Sequence, residues 1–324
     1  YAPKVVYELQ RKGIRVSATN RPFQFKNEEG EWTMGYGTYQ VLTHNQPLPS
    51  DVLYATLDEL AKNTGVDIYS ANTGLMADVD FGSPAFKPLE QPKVAMLVGI
   101  PESGEIWFLL DKRFQMRPVL IENPSLTGKD LKAYNVIILA NGVPNLTKGT
   151  ETALKEWVAA GGVLIATGKA SAWAGKQGLI SLKTKETLLE KADSLSVYRS
   201  FVDKAEAKAG KLIKGVILNC HLDKTHPLAW GLDQDEIAVI KTNDIIFQKD
   251  RDPYVSPLYY TKKPLLSGFL SADNANLLRE EPAIMVKPYR SGKVIVFADD
   301  MNFRSYFFGT SKLFMNALFY NKCM

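Results

Sequence analysis

The sequence has little cysteine and little histidine, and this excludes several kinds of chemistry. Its 324 residues include two cysteines and three histidines. Cys220 and Cys323 are too few for a disulfide framework, and their spacing matches no zinc motif. No histidine has a second His or a Glu at the helical spacing of a metallopeptidase. We therefore predict no metal site and no cofactor in this chain.

Three further absences narrow the class of protein. No apolar run approaches the roughly 18 residues that a membrane-spanning helix requires, so no such helix is expected. Lys and Arg are scattered among Asp and Glu, and the net charge is only +4, so no nucleic-acid partner is indicated. The segment 99–104 has glycine only at its ends and matches neither phosphate-loop pattern. The composition is otherwise that of a globular protein with a sizeable core.

A regular alternation of short apolar runs and amphipathic helices begins near residue 89. The apolar runs are 93–99, 118–121, 136–140, 163–166 and 293–298, and a helix is expected over 147–160. Strands joined through helices by short connections are typical of a mostly parallel sheet with helices on both faces. Further strands are predicted over 216–220, 237–240 and 264–270, a charged helical region over 176–214, and a final helix after Thr310.

The first 88 residues form a separate pattern. Helices are predicted over 5–11 and from Ser50, with strands over 14–18, 38–42 and 66–69. The Pro- and Gly-punctuated stretch 81–88 indicates a linker. We therefore predict a small α/β domain over 1–88 and a larger α/β domain over 89–324.

The segment 163–173 (VLIATGKASAW) has the pattern of a strand, a sharp turn at Thr167-Gly168, and a new element. Some α/β enzymes carry their nucleophile on such an elbow. Ligands of open parallel sheets bind outside the carboxyl ends of the strands. The candidate crevice residues are Asn141, Gly142, Thr167, Gly168, Lys169, Asp299, Asp300 and Arg304; Gly99-Ile100 and Glu122-Asn123 also follow strands. The same residue types are common in ordinary turns, which is the alternative interpretation.

Catalysis at this crevice would require a nucleophile with a base beside it. Thr167 is one candidate nucleophile, but no partner is identifiable by spacing, and its hydroxyl equally suits a cap on the turn. Cys220 and His221 are neighbours in a predicted strand, where their side chains point to opposite faces. His226 lies in the segment 226–231 (HPLAWG), a predicted turn in which we expect it to be structural.

Several segments together resemble the class I glutamine amidotransferase-like fold. They are 92–99 (PKVAMLVG), 104–111 (GEIWFLLD), 131–139 (LKAYNVIIL) and 154–166 (LKEWVAAGGVLIA). More narrowly, the chain resembles the C-terminal region of bacterial secreted proteins related to zinc carboxypeptidases. The segments that carry this match are Gly82-Ser83, 226–231, 292–304 (GKVIVFADDMNFR) and Asn316-Ala317.

The resemblance implies a flavodoxin-like sheet, a secreted or periplasmic location, and an N-terminal peptidase-like domain as partner. It also places the amidotransferase cysteine at Ala166 or Thr167, and neither is cysteine. The peptidase zinc ligands would lie upstream of Tyr1, where we expect a longer parent protein. The leading hypothesis is a non-catalytic accessory module that binds a small molecule or peptide. The alternatives are a hydrolase acting through Thr167 or a carboxylate, and a structural or oligomerisation domain.

Overall fold

A nine-stranded sheet forms the centre of the computed structural model, which describes residues 1–76, 78–98, 103–122, 126–142, 145–188 and 200–324. The strands are β1 (Ser17–Thr19), β2 (Phe23–Asn27), β3 (Gly30–Met34), β4 (Tyr39–Gln40), β5 (Phe86–Pro88), β6 (Val94–Leu97), β7 (Val119–Ile121), β8 (Val136–Leu139), β9 (Val163–Thr167), β10 (Val216–Leu222), β11 (Glu236–Lys241), β12 (Leu258–Ser267), β13 (Pro282–Tyr289) and β14 (Gly292–Phe297).

The helices are α1 (Ala2–Arg11), α2 (Ser50–Thr64), α3 (Ser103–Trp107), α4 (Gly128–Leu131), α5 (Lys148–Ala159), α6 (Lys169–Lys176), α7 (Lys204–Lys211), α8 (Ala272–Leu278) and α9 (Phe308–Phe319). A π-helical turn, Phe108–Arg113, continues α3. No described helix is long and apolar enough to cross a membrane.

The large sheet has the strand order β11-β10-β12-β13-β14-β9-β8-β6-β7. Its last five strands, from β14 to β7, pair in parallel. Within these five, β7, β6, β8, β9 and β14 lie in the order 2-1-3-4-5 of their succession along the chain, which is the flavodoxin-like order. The predicted fold class is thereby confirmed. β10 to β13 extend the sheet by antiparallel pairing.

Strand β9 shows why this sequence forms a sheet that is covered on both faces. Every residue of Val163–Thr167 is buried. Alternate side chains enter two different apolar clusters: Val163 and Ile165 join the cluster that includes α1 and α9, while Leu164 and Ala166 join the one that includes α5 and α6. A continuous apolar run is the pattern expected of such a doubly covered parallel strand.

The antiparallel half of the sheet was predicted less completely. β10 and β11 lie where apolar runs indicated them, and β12 begins six residues before its predicted start. β13, which pairs with both β12 and β14, was not predicted. The helical prediction for 176–214 is correct only for α7, since 177–188 are not helical and 189–199 lie outside the described residues.

The first 88 residues pack against the large sheet. β4, β1 and β5 form a three-stranded antiparallel sheet, and β2 and β3 form a hairpin. Buried residues of α1 and α2 belong to the same apolar cluster as β9. The predicted strand over 66–69 is wrong: the segment pairs with no described strand, and Ile68 is 41% exposed. The predicted linker contains β5, and a domain boundary at residue 88 stays a prediction.

Candidate ligand crevice at the sheet edge

A small crevice lies at the carboxyl ends of β8, β9 and β14, beside α3, which follows β6. Open α/β sheets bind ligands outside the carboxyl ends of their strands, and the switch in strand order lies next to this crevice, between β6 and β8. It is lined by Ile106, Asn141, Thr167, Gly168, Asn243, Asp299, Asp300, Met301 and Asn302. Its open volume is about 10 Å³, roughly the space that one water needs.

Five of the eight predicted crevice residues line it together: Asn141, Thr167, Gly168, Asp299 and Asp300. The other three, Gly142, Lys169 and Arg304, are not among its lining residues. Glu122 is exposed after the edge strand β7, and Gly99-Ile100 and Asn123 lie outside the described residues.

The strained residue of the elbow is Gly168. It connects β9 to α6 with φ 50° and ψ −122°, a conformation that residues with a Cβ rarely adopt. A nucleophile elbow holds its reactive side chain at the strained residue between strand and helix. The resemblance to amidotransferases placed that position at Ala166 or Thr167, but both belong to β9. The elbow position is therefore one residue further along the chain.

The space that a side chain at Gly168 would need is filled by Asn141. A Cβ built on Gly168 would lie 2.2 Å from Asn141 Oδ1 and 2.7 Å from its Cγ. The same Oδ1 accepts a hydrogen bond of 2.9 Å from the backbone N–H of Lys169. Asn141 thus caps the start of α6 from the neighbouring strand end, and a side chain at Gly168 would have to displace it.

Among the described residues that line the crevice with Thr167, the groups that could act as a base are the carboxylates of Asp299 and Asp300. The side chain is 6% exposed, and its hydroxyl makes no hydrogen bond within the described residues. Of the residues that the structure describes, no His, Lys or Cys lines the crevice. The nearby Ser171 hydroxyl is fully buried and lies 2.9 Å from Ala166 O and 3.0 Å from Phe297 O. It links β9 to β14 and is not open to a substrate.

The Asp299 carboxylate is buried in an ion pair and is not presented to the crevice as a free charge. Asp299 and Lys241 are both fully buried, with Lys241 Nζ 2.9 Å from Asp299 Oδ1. Tyr260 donates its hydroxyl to Asp299 Oδ2 at 2.7 Å, and Lys241 Nζ also donates to Ile245 O at 2.6 Å. Burial, and then the charge of Asp299, raise the pKa of the Cys220 thiol well above its usual value. This network is a structural support beneath the crevice.

The segment after Asp299 forms the wall of the crevice. Asp300 Oδ1 accepts from Asn302 N at 3.0 Å. Arg304 is exposed, and its guanidinium lies 5.2 Å from the centre of the Phe303 ring. Its backbone N–H donates to Glu105 Oε1 at 3.0 Å, which ties the segment to α3.

Four lining residues are not among the eight crevice residues predicted: Ile106, Asn243, Met301 and Asn302. Asn302 lies in the same loop as Asp299 and Asp300, so the rule that directed attention to that loop could have included it. Asn243 follows the antiparallel strand β11. Only the long-range pairing of β11 brings it to this edge, and no local sequence signal reports that pairing.

His226 and Cys220 both lie in structural surroundings away from the crevice lining. His226 Nδ1 accepts from Leu228 N at 3.1 Å and caps the short 3₁₀ turn Pro227–Ala229. Burial also lowers the pKa of His226 to about 4. The cap itself is the kind of structural role predicted for this histidine. Cys220 is fully buried, and its neighbour His221 points to the other face of β10, 5.0 Å from the Tyr259 ring. Within the described ranges, no three His, Cys, Asp or Glu side chains are grouped as for a metal ion.

No protein-family model and no curated protein matches the chain, whereas several solved structures are similar to it. A ThuA-like protein from Bacteroides uniformis is 14% identical with a TM-score of 0.44, covering 69% of this chain and 88% of that one. A GMP synthase subunit from Thermoplasma acidophilum is 9% identical with a TM-score of 0.45, covering 71% and 94%. PurLQS from Thermotoga maritima is 13% identical with a TM-score of 0.46, covering 70% and 97%. The assignment of the fold rests on the strand order described above.

Proposed function

We propose that this chain is a non-catalytic amidotransferase-like module that binds a small molecule or peptide at the crevice. The observation that supports this most directly is the elbow. Its strained position is occupied by Gly168, and the Asn141 side chain fills the space in which a nucleophile would stand.

Acyl or amide transfer through a covalent intermediate needs an activated nucleophile with a base in hydrogen-bond reach. Thr167 is the remaining hydroxyl of the crevice lining, and among the described residues no histidine or lysine lines the crevice with it. The carboxylate of Asp299 is neutralised by Lys241. These contacts favour binding over the hydrolase alternative.

We further propose that the module is an accessory domain of a secreted protein related to zinc carboxypeptidases, with an N-terminal peptidase-like domain as its partner. The support for this is the resemblance of the segments at 226–231 and 292–304. In such a parent the zinc ligands and the bond-breaking chemistry would belong to the upstream domain.

Hydrolysis of a panel of amides and esters by the purified chain tests the non-catalytic proposal. We expect no turnover above the uncatalysed rate. Turnover that disappears in Thr167→Ala would instead establish the hydrolase, and turnover that survives this change would exclude Thr167 as its nucleophile.

One observation favours a role in assembly as a second candidate. β7 is an edge strand of the large sheet, and its neighbouring residues Val119 and Leu120 are 47% and 46% exposed. Exposed apolar edge strands are ready templates for pairing with another chain. Measurement of the solution mass tests this: a dimer that dissociates in Leu120→Lys supports it, and a monomer at all concentrations rejects it.

A further inference from the structure

One polar atom of the crevice lining, and two on the neighbouring α3 and its π-helical continuation, have no partner among the described residues. Asn302 is 2% exposed, lines the crevice, and its Oδ1 has no hydrogen-bond partner among the described residues. Glu105 Oε2 and Arg113 Nη1 are likewise buried, and neither has a partner in the described part of the chain. Unpaired buried polar atoms are rare in proteins and require an explanation.

All three side chains belong to or hold the segment 302–306, which we call the strap. Glu105 accepts from the backbone of Arg304, and Arg113 Nη2 donates to the carbonyl of Ser305. Arg304 and Ser305 are consecutive non-glycine residues with φ of 47° and 59°. Side chains with a Cβ adopt this left-handed region at a cost, and such strain concentrates at ligand clamps and switches.

The crevice, to which the strap contributes Asn302, is small. A volume of about 10 Å³ is far below the roughly 300–1,000 Å³ of typical small-molecule sites. Beside the strap, the rings of Tyr306 and Phe308 are 53% and 65% exposed. Tyr306 packs against Phe303 and Phe307, and the Arg113 guanidinium lies 4.5 Å from the Phe308 ring centre, so the rings are held in place.

We propose that the strap opens and that the opened crevice binds a neutral, hydroxyl-rich ligand, a saccharide. This inference rests on the proposed function of the crevice as a binding site. Opening relieves the left-handed residues and frees Asn302, Glu105 and Arg113 to make hydrogen bonds that the closed form lacks.

The ligand class follows from the atoms that are left unpaired. They include two acceptors, Asn302 Oδ1 and Glu105 Oε2, and one donor, Arg113 Nη1. A hydroxyl group both donates and accepts, so neighbouring hydroxyls on one ring can satisfy both kinds of atom. The exposed aromatic rings offer flat apolar surfaces for the C–H face of a sugar. The charges of Glu105 and Arg113 are opposite, and Asp299 is paired with Lys241. Asp300 adds a carboxylate to the lining, which favours a neutral ligand over an anionic one.

The test is calorimetric titration of the whole chain with neutral mono- and disaccharides, including glucose, maltose and cellobiose, and with the zwitterionic dipeptide Gly-Gly. At least one saccharide is expected to bind at millimolar concentration, and the backbone amides of the strap are expected to exchange with solvent faster when it is bound, because opening breaks the hydrogen bond from Arg304 N to Glu105 Oε1. Asn302→Leu and Tyr306→Ala should each weaken binding at least tenfold. Asn219→Leu, on β10 and outside the crevice lining, should leave it unchanged.

A loss of saccharide binding in these two variants can be distinguished from a failure to fold by their melting temperatures. Asn302→Leu removes an Oδ1 that has no partner in the described part of the chain, and Tyr306 is exposed, so both variants should melt at or near the wild-type temperature. Absence of saccharide binding, or binding unaffected by both variants, overturns the inference. If Gly-Gly binds and no saccharide does, the saccharide inference is wrong, whereas the proposal of a non-catalytic binding module is retained. A saccharide that is bound and then cleaved leaves this inference intact and overturns the non-catalytic proposal.

Discussion

Gly168 is subject to two separate constraints, its backbone conformation and the closeness of Asn141. Gly168→Ala should destabilise the protein by about 2–5 kcal/mol, since an alanine at this positive φ costs about 1–2 kcal/mol and overpacking about 1–3 kcal/mol. Equilibrium denaturation in urea measures the change. The matched control is Gly178→Ala, with φ 71° and no atom within 4 Å of its Cβ, which should lose only about 1–2 kcal/mol.

The difference between the two glycine variants isolates the contact with Asn141. Adding Asn141→Ala to Gly168→Ala should therefore recover part of the lost stability, because it removes the colliding amide. Equal losses in the two single variants would show that Asn141 does not fill the elbow.

Lys241 and Asp299 form a pair whose two members are both fully buried. Lys241→Met leaves the Asp299 carboxylate uncompensated, so the free energy of unfolding should fall by about 3–5 kcal/mol. Chemical denaturation measures this loss. The control is Lys224→Met, which breaks the Lys224–Asp235 pair, whose side chains are 39% and 71% exposed, and should cost less than about 1 kcal/mol. Similar losses at the two sites would contradict a supporting role for the buried network.

At the scale of the element, the 3₁₀ turn Pro227–Ala229 is capped by a histidine, which can titrate, and is hydrogen-bonded to the last helix, α9. His226 caps the turn, and Asn316 of α9 donates to Leu228 O and Trp230 O at 2.7 and 2.9 Å. Burial lowers the His226 pKa from 6.5 to about 4. The unfolded chain therefore binds this proton more readily than the folded chain.

The stability contributed by neutral His226 should be complete above about pH 6.5 and lost as the pH falls toward 4. His226→Asn keeps an oxygen that can cap the turn but does not titrate, so its stability should depend less on pH over that range. Melting temperatures from pH 4 to 8 measure this. An unchanged pH profile in His226→Asn, or the same flattening in the exposed His44→Asn, would reject the assignment.

The elements that could be predicted from sequence are those that leave a signal in their own residues, such as a continuous apolar run or a helix cap. β6, β8, β9 and β14 are buried on both faces, so each is a continuous apolar run. α5 begins at a Thr147 cap and ends before a glycine pair. β13 and the exact end of the elbow could not be predicted in this way. β13 is defined by pairing with β12 and β14. Which residue of the Thr167-Gly168 turn is the strained one is decided by the backbone angles.

The positions of several candidate site residues could be predicted from sequence, but their interaction partners could not. The rule that ligands bind at carboxyl strand ends directs attention to Asn141, Gly168 and Asp299 from sequence alone. It does not reveal that Lys241 neutralises Asp299, or that Asn302 is left without a partner for its Oδ1 among the described residues. Both facts depend on which distant segments the antiparallel half of the sheet brings to this edge.

At the scale of the whole molecule, the first 88 residues and the large sheet share one apolar cluster. Tyr320, at the C-terminal end of α9, donates to Gly37 O at 2.8 Å, and Trp230 lies 2.6 Å from a Cβ built on Gly37. Tyr39 stacks on Tyr320 with ring centres 5.6 Å apart. Because these contacts are buried, separating the two parts would expose a large apolar surface.

The two parts should therefore unfold together, in a single calorimetric transition whose calorimetric and van't Hoff enthalpies agree. Gly37→Ala forces a side chain into Trp230 at a φ of 76° and should lower the temperature of that one transition. The control is Gly65→Ala at the end of α2, with φ 66° and no atom within 4 Å of its Cβ, which should lower it less. Two resolved transitions, of which Gly37→Ala shifts only one, would instead establish residues 1–88 as an independently folding domain and support the boundary predicted from sequence.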